Sequence, residues 1–426
     1  MLSFYNKKKF FFYLFILIIL VSFYRSPYIF FNGRFFAEEG SVHFQNAFQN
    51  GFFKNLYFIE LEAGYINLIA NILSSIAVKF PLIYAPYATV YGSFIFILLP
   101  VYLVLFRDSK LFDKNLKKIL GSLILFISTP LVPEIWLNSI NLQIYLCLSS
   151  IIIIFMIETN IYQKVLNNII ILVGGFSGIY TCSLLPIFFI KFLREKNNYN
   201  FTNLIILIIA NITQFFLIIH SKINSYLTPT VLKIDFATDS LSLFVYNILV
   251  RPFTGKEFLL FFFDNRFLNS KLIIISLLFA FILFLIFLIR MNFKSLIGII
   301  KNDNNFHYLV IIFIIICFIV FIGSVGNYYG GRYAAIPGVV LLLIFLHLAF
   351  TVSKKLKYFL MVILIFALFN GVNEFRPYDK NNESGLKILD CYNCPNWKNE
   401  IINWQKNNNY IIKIWPYPRK NMRLEI

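Results

Sequence analysis

Two adjacent carboxylates and two basic side chains follow the first long apolar run of the chain. The carboxylates of Glu38 and Glu39 lie in the stretch GRFFAEEGSVHFQNAFQNG, residues 33–51. Arg34 precedes this pair and His43 follows it. A carboxylate within hydrogen-bond reach of a hydroxyl can remove its proton, and an arginine can hold a phosphate through two parallel hydrogen bonds. The stretch therefore predicts proton transfer or anion binding.

The remainder of the chain has the composition of a membrane protein. Of its 426 residues, 59% are hydrophobic and only 14% are charged, whereas soluble domains carry about 25% charged residues. Apolar runs of roughly 20 residues recur, and each is long enough to cross a hydrocarbon core of about 30 Å. The sequence therefore predicts an all-α polytopic membrane protein.

The net charge of +18 predicts an orientation in the membrane and no nucleic-acid partner. Lysines and arginines gather in short loops between the apolar runs, and loops rich in these residues remain in the cytoplasm. Lys7, Lys8 and Lys9 precede the first run. We therefore predict a multi-pass membrane protein with a cytoplasmic N-terminus and an extracytoplasmic C-terminus.

About eleven spans satisfy this charge rule. A full crossing at Gly64–Phe80 would place the basic loop Arg107–Lys118 outside, so Ser41–Phe53 and Gly64–Phe80 are predicted to be two external helices along the membrane interface. The predicted spans are about 10–30, 86–106, 119–133, 142–157, the pair 169–180 and 181–193, 201–219, 272–289, 308–322, 333–352 and 358–369.

The pair in this series is predicted to be two short helices on either side of a break in the chain. A single crossing there would export Lys191, Arg194 and Lys196, and the run GGFSGIYTCSLLP (174–186) contains three glycines. Broken helices are tolerated in membranes where their freed backbone groups are buried in protein or line a water-filled cavity. The break therefore predicts a cavity within the bundle.

The polar residues outside these spans fall on one predicted face. Residues 1–369 form the predicted transmembrane domain, with external loops 31–85 and 220–271, and residues 370–426 form a small extracytoplasmic region. The turn PEIWLNSINLQ and the stretch GNYYGGRY lie on the same face. The substrate-binding candidates there are Arg34, His43, Glu134, Asn138, Asn141, Arg251, Arg332 and Tyr333.

This order of features resembles the GT-C superfamily of membrane glycosyltransferases, which use polyprenyl-phosphate sugars. The resemblance lies in a first span, an external loop with an acidic pair, two juxtamembrane helices, many further spans and an external tail. It also lies in four stretches: FFAEEGSVHFQNAFQNG, NSINLQIYL, GGRYAAIPG and PNWKNEIINWQKNNNYIIKIWPYP.

The resemblance is to bacterial members and implies a location in the bacterial cell (inner) membrane. It also implies a direct displacement at the anomeric carbon that inverts its configuration and releases polyprenyl phosphate. It makes Glu38 the general base for the hydroxyl of a glycan or lipid-linked acceptor, with Glu39 as the rival. Arg332 and Arg251 are assigned to the donor phosphate from their charge and placement. The Lys-Pro-Pro and WWD-type motifs of some members are absent. We therefore expect neither transfer to protein asparagine nor an obligatory divalent metal or other cofactor.

Structural roles compete with each of these assignments. Carboxylates near a helix N-terminus are favourable, so Glu38 and Glu39 could serve only as caps. His43 is expected on a solvated face, and Arg332 could extend to lipid head groups. Glu134 could only hydrogen-bond to its own turn.

A transporter or lipid flippase is the competing class of protein. It would also contain broken helices and buried charges, but its ionisable residues would lie near the middle of the bilayer. Here the charges cluster at one face, which favours one-sided chemistry.

The five cysteines predict no metal centre. Cys147, Cys182 and Cys317 lie in apolar runs, where cysteine packs as a small apolar residue. Cys391 and Cys394 form one CxxC in the tail, without the further ligands of a zinc site. An extracytoplasmic location would favour a disulfide between them.

Overall fold

A computed structural model of the protein is mostly helical, with 77% of the described residues in helices. The structure describes residues 2–61, 64–224, 246–255, 279, 290, 293–324, 331–375, 395–416 and 420–425.

The helices vary widely in length. Residues Glu39–Phe44 form a π-helical turn that continues directly into the third helix. In chain order the helices are α1 (Leu2–Arg25), α2 (Pro27–Asn32), α3 (Gln45–Asn50), α4 (Phe52–Leu56), α5 (Leu68–Ala77), α6 (Ala85–Phe106), α7 (Asn115–Ile127), α8 (Leu142–Ile154), α9 (Ile161–Gly175), α10 (Ile179–Cys182), α11 (Leu185–Glu195), α12 (Asn198–Ile223), α13 (Phe293–Asn302), α14 (Asn304–Ser324), α15 (Ala335–Thr351), α16 (Lys354–Phe375) and α17 (Trp397–Lys406).

Five helical segments in the described part of the chain are long and apolar enough to cross a membrane. The bent pair α9 and α11 makes a sixth if it counts as one span. The structure is therefore compatible with the predicted helical multi-pass membrane protein, whereas the count of eleven spans stays a prediction. The five segments are Leu82–Phe106, Asn198–Ile223, Asn304–Phe321, Arg332–Thr351 and Leu356–Phe375.

Three predicted spans correspond to shorter apolar segments. In α1, Lys9 and Arg25 leave only the residues 10–24 uncharged between them, fewer than the roughly 20 that a span needs. Helices α7 and α8 have 13 residues each. All residues of α8 except Gln143 are buried, so this helix lies inside the bundle and away from lipid.

Both regions that were predicted to form interface helices contain helices, with shorter bounds, and their place along the membrane interface stays a prediction. The first region contains the π-helical turn, α3 and α4, and the second contains α5. Helix α5 has ten residues, which extend about 15 Å at 1.5 Å per residue. It is too short to cross a hydrocarbon core, in agreement with the prediction that Gly64–Phe80 is not a span.

The predicted break in the fifth span is present, but it lies earlier in the chain than expected. Helix α9 ends at Gly175, and the chain axis then bends by 118° between the two halves of the pair. Gly178 has a φ of 153°, and a side chain there would collide with Gln143. The break therefore falls at residues 176–178, because glycine is required where the chain passes Gln143.

The long helix α6 connects opposite ends of the molecule. Helix α6 begins where Pro86 and Tyr87 approach Gly33, and its 22 residues extend about 33 Å. Shortly after its end, Lys110 pairs with Glu195 at 3.1 Å. The Glu38 loop and the basic loops therefore lie at opposite ends, as the predicted topology requires, and the assignment of one end to the cytoplasm stays a prediction.

The C-terminal region packs against the Glu38 loop. Strands β1 (Ile412–Lys413) and β2 (Asn421–Met422) pair antiparallel, a small departure from the predicted all-α fold. Trp397 of α17 is buried against Phe35 and Phe44, and its indole N–H donates to the carbonyl of Leu82. Helix α16 continues to Phe375, so the polar tail begins later than the predicted residue 370.

Several predictions concern residues outside the described part of the chain. They are the span 272–289 apart from residue 279, most of the loop 220–271, and the pair Cys391 and Cys394.

Candidate functional site

The loop before the acidic pair has an unusual backbone that the C-terminal region holds in place. Ala37 has a φ of 50°, in the left-handed region that residues other than glycine rarely adopt. Its N–H donates to the carbonyl of Trp415 at 2.6 Å. Gly40 follows, where a side chain would collide with Phe35 and Ile414. Contacts between the loop and the tail therefore determine where the two carboxylates point.

Glu39 is fully buried and holds two chain segments together. Its Oε1 accepts a hydrogen bond from the Ser139 N–H at 2.7 Å, and its Oε2 accepts one from the Phe36 N–H at 3.0 Å. Burial raises the pKa of Glu39, although these N–H donors and the nearby Arg34 favour the charged form. Both oxygens are occupied and no part of the side chain is exposed, so this arrangement gives no support to the assignment of Glu39 as a rival base.

Arg34 is also buried, with 2% of the residue exposed. Its guanidinium lies over the rings of Phe36 and Trp415, 4.7 Å and 5.2 Å from their centroids, and donates to the Trp136 carbonyl at 3.2 Å. Burial lowers the pKa of Arg34 to about 10, partly offset by the charge of Glu39. Aromatic rings cover the guanidinium, so this arrangement gives no support to the prediction that Arg34 binds substrate.

Glu38 points to a different place from its neighbour. Its side chain is 37% exposed, and its Oε1 accepts a hydrogen bond from Lys420 Nζ at 2.6 Å. Partial burial favours the neutral acid, but the Lys420 hydrogen bond and the charges of Lys420 and Arg332 outweigh it and bring the pKa of Glu38 below its ordinary value. Glu38 is therefore an ionised, accessible carboxylate at neutral pH, as a general base requires.

A second ion pair lies within electrostatic reach of Glu38. Arg332 Nη1 donates to Glu134 Oε1 at 2.8 Å, with 38% and 31% of the two side chains exposed. Its Nη2 donates to the Tyr333 hydroxyl at 3.2 Å. Since the charge of Arg332 also acts on Glu38, the structure brings these four predicted residues into one electrostatic neighbourhood.

Two tyrosines complete this neighbourhood. The Tyr65 hydroxyl interacts with Gln143 and with the charges of Arg332 and Glu38. Burial raises the pKa of Tyr65 to about 12, and the charge of Glu60 contributes. Tyr180, from the short helix in the broken span, interacts with Arg332 and Tyr65. A tyrosine of the broken span therefore lies within electrostatic reach of Arg332.

Asn138 and Asn141 shape the turn and do not point at a ligand. Asn138 is fully buried and donates to the carbonyl of Glu134 at 2.8 Å. Its Oδ1 accepts hydrogen bonds from the backbone and the side chain of Asn141. Leu137, between them and Glu134, has a φ of 51°. Both amides therefore stabilise a strained turn, and their assignment as substrate-binding residues is not supported.

His43 is buried, although a solvated face was expected. It is 1% exposed, and its Nδ1 lies in a hydrogen bond with Asn71 Oδ1 at 2.9 Å. Its Nε2 is 3.8 Å from Glu60 Oε2, beyond hydrogen-bond distance. Burial lowers the pKa of His43 to about 4, against the opposing effects of Asn71 and Glu38. His43 is therefore neutral at neutral pH, and its hydrogen bond with Asn71 links the Glu38 loop to α5.

The buried His43 predicts a loss of stability in mild acid. The unfolded residue takes up a proton below pH 6.5 and the folded one only near pH 4, so the unfolded state binds more protons in this window. We expect stability to decrease as the pH falls from 6.5 to 4, by about 3 kcal/mol at 1.36 kcal/mol per unit. Thermal unfolding of wild type and His43→Gln across this range measures the effect. The two curves should diverge below pH 6.5, and parallel curves would contradict the buried neutral histidine.

Arg251 belongs to another group of residues. Its Nη2 lies 3.7 Å from Glu374 Oε2 and its Nη1 donates to Asn247 at 3.3 Å. The charge of Glu374 also acts on Arg25, which lies over Trp136 and Phe375. The structure therefore does not bring Arg251 to Glu38, and its predicted role at the donor phosphate lacks support.

Lys420 is the residue of this site that the sequence did not reveal. It lies 382 residues from Glu38, in a basic segment without periodicity or motif, so no local signal connected the two. Tyr65 and Gln143 were likewise not singled out as site residues. Only the packing of the tail on the loop places Lys420 at the carboxylate.

A polar cleft of about 850 Å³ lies at the opposite end of the molecule. The lining of the cleft includes Lys110, Arg194, Glu195, Asp303, Tyr308 and Thr351.

Among the described residues, no group of three or more His, Cys, Asp or Glu side chains could hold a metal ion. The prediction that the protein needs no metal stays a prediction.

Comparisons with known proteins return no relative. No protein-family model matches the chain, and no curated protein or solved structure matches it. The resemblance to the GT-C superfamily therefore depends on the quoted stretches and on the order of the elements.

Proposed function

We propose that the protein is an integral-membrane inverting glycosyltransferase of GT-C type. It transfers a sugar from a polyprenyl-phosphate donor to a glycan or lipid-linked acceptor at the extracytoplasmic face. The observation that carries this proposal is the partly exposed carboxylate of Glu38, which pairs with Lys420 and also feels the positive charge of Arg332.

Each group has a role in this reaction. The Glu38 carboxylate removes the proton from the acceptor hydroxyl while the acceptor oxygen forms a bond to the anomeric carbon. The bond from that carbon to the phosphate oxygen breaks, and its electron pair remains on the phosphate. Arg332 stabilises the charge that develops there, since charge-assisted hydrogen bonds to phosphate are strong.

Buried residues next to these groups hold the reacting side chains in position. Glu39 links the loop to the turn at Ser139, and the same turn carries Glu134, the partner of Arg332. The general base and the phosphate-binding cation are therefore connected through one short series of contacts. Such rigid support keeps reacting groups at the distances that catalysis needs.

A flippase for the same class of lipid is the second candidate. The broken span and a separate polar cleft at the opposite end are features that a transport path would also need. A flippase moves the donor intact, whereas a transferase cleaves it.

Reconstituted wild-type protein separates the two functions. With a polyprenyl-phosphate hexose and a membrane fraction as acceptor, we expect release of polyprenyl phosphate and a new glycosidic product. Transbilayer movement of a fluorescent donor without cleavage would contradict transfer and support the flippase.

Arg332→Met should reduce kcat/KM for the donor by about 10- to 100-fold, the loss of one or two charge-assisted hydrogen bonds. Arg423→Met, which removes an exposed arginine of the tail, is the matched control and should stay close to wild type. Equal rates for both variants would remove Arg332 from the donor site.

A further inference from the structure

Both cations of the site are held by carboxylates. Lys420 pairs with Glu38 and Arg332 pairs with Glu134, and between 31% and 38% of each of the four side chains is exposed. Ion pairs this exposed contribute little net stability because solvent screens them. An anionic ligand can therefore compete for either cation.

Lys420 can change partner without movement of its backbone. The backbone N–H of Lys420 donates to the Pro416 carbonyl at 3.1 Å, and the backbone carbonyl of Lys420 accepts from the Ile414 N–H at 3.4 Å. The same segment is anchored on the Glu38 loop through Trp415. The lysine side chain has a flexible four-carbon stem, so the ammonium moves while the segment stays in place.

We propose that Lys420 is an exchangeable counterion, which pairs with Glu38 in the empty site and with the donor phosphate in the loaded site. The exchange leaves the Glu38 carboxylate free to contact the acceptor hydroxyl. This inference rests on the proposed function, and it names the C-terminal segment as the source of a phosphate-binding residue.

Charge balance across the reaction favours this exchange. The donor phosphate is a diester with one negative charge, and the departing phosphate gains another when the bond to the sugar breaks. Glu38 becomes neutral at the same time, since it accepts the proton. Lys420 therefore gains attraction to the phosphate and loses attraction to Glu38 as the reaction proceeds, the direction that stabilises a transition state.

Two described side chains, Lys420 and Arg332, act on the pKa of Glu38. The charge of Glu38 in turn acts on two neighbouring titratable groups, His43 and Tyr65. Only Lys420 contributes a direct side-chain hydrogen bond to Glu38. Lys420→Met should therefore move the acid limb of kcat/KM, which reports the free enzyme, to higher pH. Lys420→Arg should restore it. A purely structural lysine would leave the limb unmoved.

Binding of farnesyl phosphate to the purified full-length protein tests the exchange without turnover. Lys420→Met should weaken binding about tenfold, the loss of one charge-assisted hydrogen bond. Glu38→Gln should strengthen binding severalfold, because it removes the carboxylate that competes for Lys420. Lys406→Met, at an exposed lysine of α17, should match wild type.

The double variant decides between exchange and simple charge repulsion. If Lys420 exchanges partners, Glu38→Gln gives no gain in a Lys420→Met background, since the two changes share one interaction. An equal gain in both backgrounds, or no gain in either, would overturn the proposal. If the exchange pattern appears but no donor is cleaved, the exchange stands and the proposed glycosyl transfer is wrong.

Discussion

Glu38→Gln should reduce glycosyl transfer by about 10²- to 10⁴-fold, the usual contribution of a general base. The amide keeps the size of the side chain but cannot accept the proton of the acceptor hydroxyl. The variant should fold normally, because Glu38 is 37% exposed and its ion pair is partly solvated. The rate of polyprenyl-phosphate release by purified protein measures the effect.

The control for this variant is Glu425→Gln, which removes an exposed carboxylate from the C-terminal region that packs against the Glu38 loop. It should retain the wild-type rate. Wild-type turnover by Glu38→Gln with the same donor would exclude Glu38 as the base. Loss of activity in both variants would indicate a general effect of charge at this end of the molecule.

Glu39→Gln should destabilise the protein by about 3 kcal/mol and should act on folding before it acts on chemistry. The amide cannot accept from both the Phe36 and Ser139 N–H groups. One buried donor loses its partner and the Arg34 guanidinium loses its nearby carboxylate, and removal of one member of a buried charged group costs about 3–5 kcal/mol. Thermal unfolding in detergent measures this loss.

The variants at the two adjacent glutamates should therefore differ in both unfolding temperature and activity. Glu38→Gln is expected to unfold near the wild-type temperature with little activity. Glu39→Gln is expected to unfold several degrees lower, with activity in proportion to the folded fraction. The reverse pattern would exchange the roles of the two carboxylates.

The class of the protein and the position of its acidic pair could be predicted from sequence, because both follow from local patterns. Apolar runs of membrane length predicted α12, α14 and α15 closely. Glycines and the charge rule predicted the broken span. The bounds of short buried helices were less predictable, since α8 is surrounded by protein and need not match the bilayer thickness.

The assignment of individual side chains depended on packing that the sequence does not encode locally. Arg34 and His43 are residue types that often bind polar ligands, yet aromatic rings cover Arg34, and His43 is buried beside Asn71. Lys420 entered the site because the tail folds back on the Glu38 loop. Charge and proximity in sequence thus identified the loop, whereas long-range contacts decided which carboxylate is exposed.

The most direct test is an experimental structure of the full-length protein with bound farnesyl phosphate. We predict the phosphate within hydrogen-bond distance of Arg332 and Lys420, with the Glu38 carboxylate released from the lysine. A phosphate bound only in the cleft between Lys110 and Arg194, with the Lys420–Glu38 pair intact, would contradict the account.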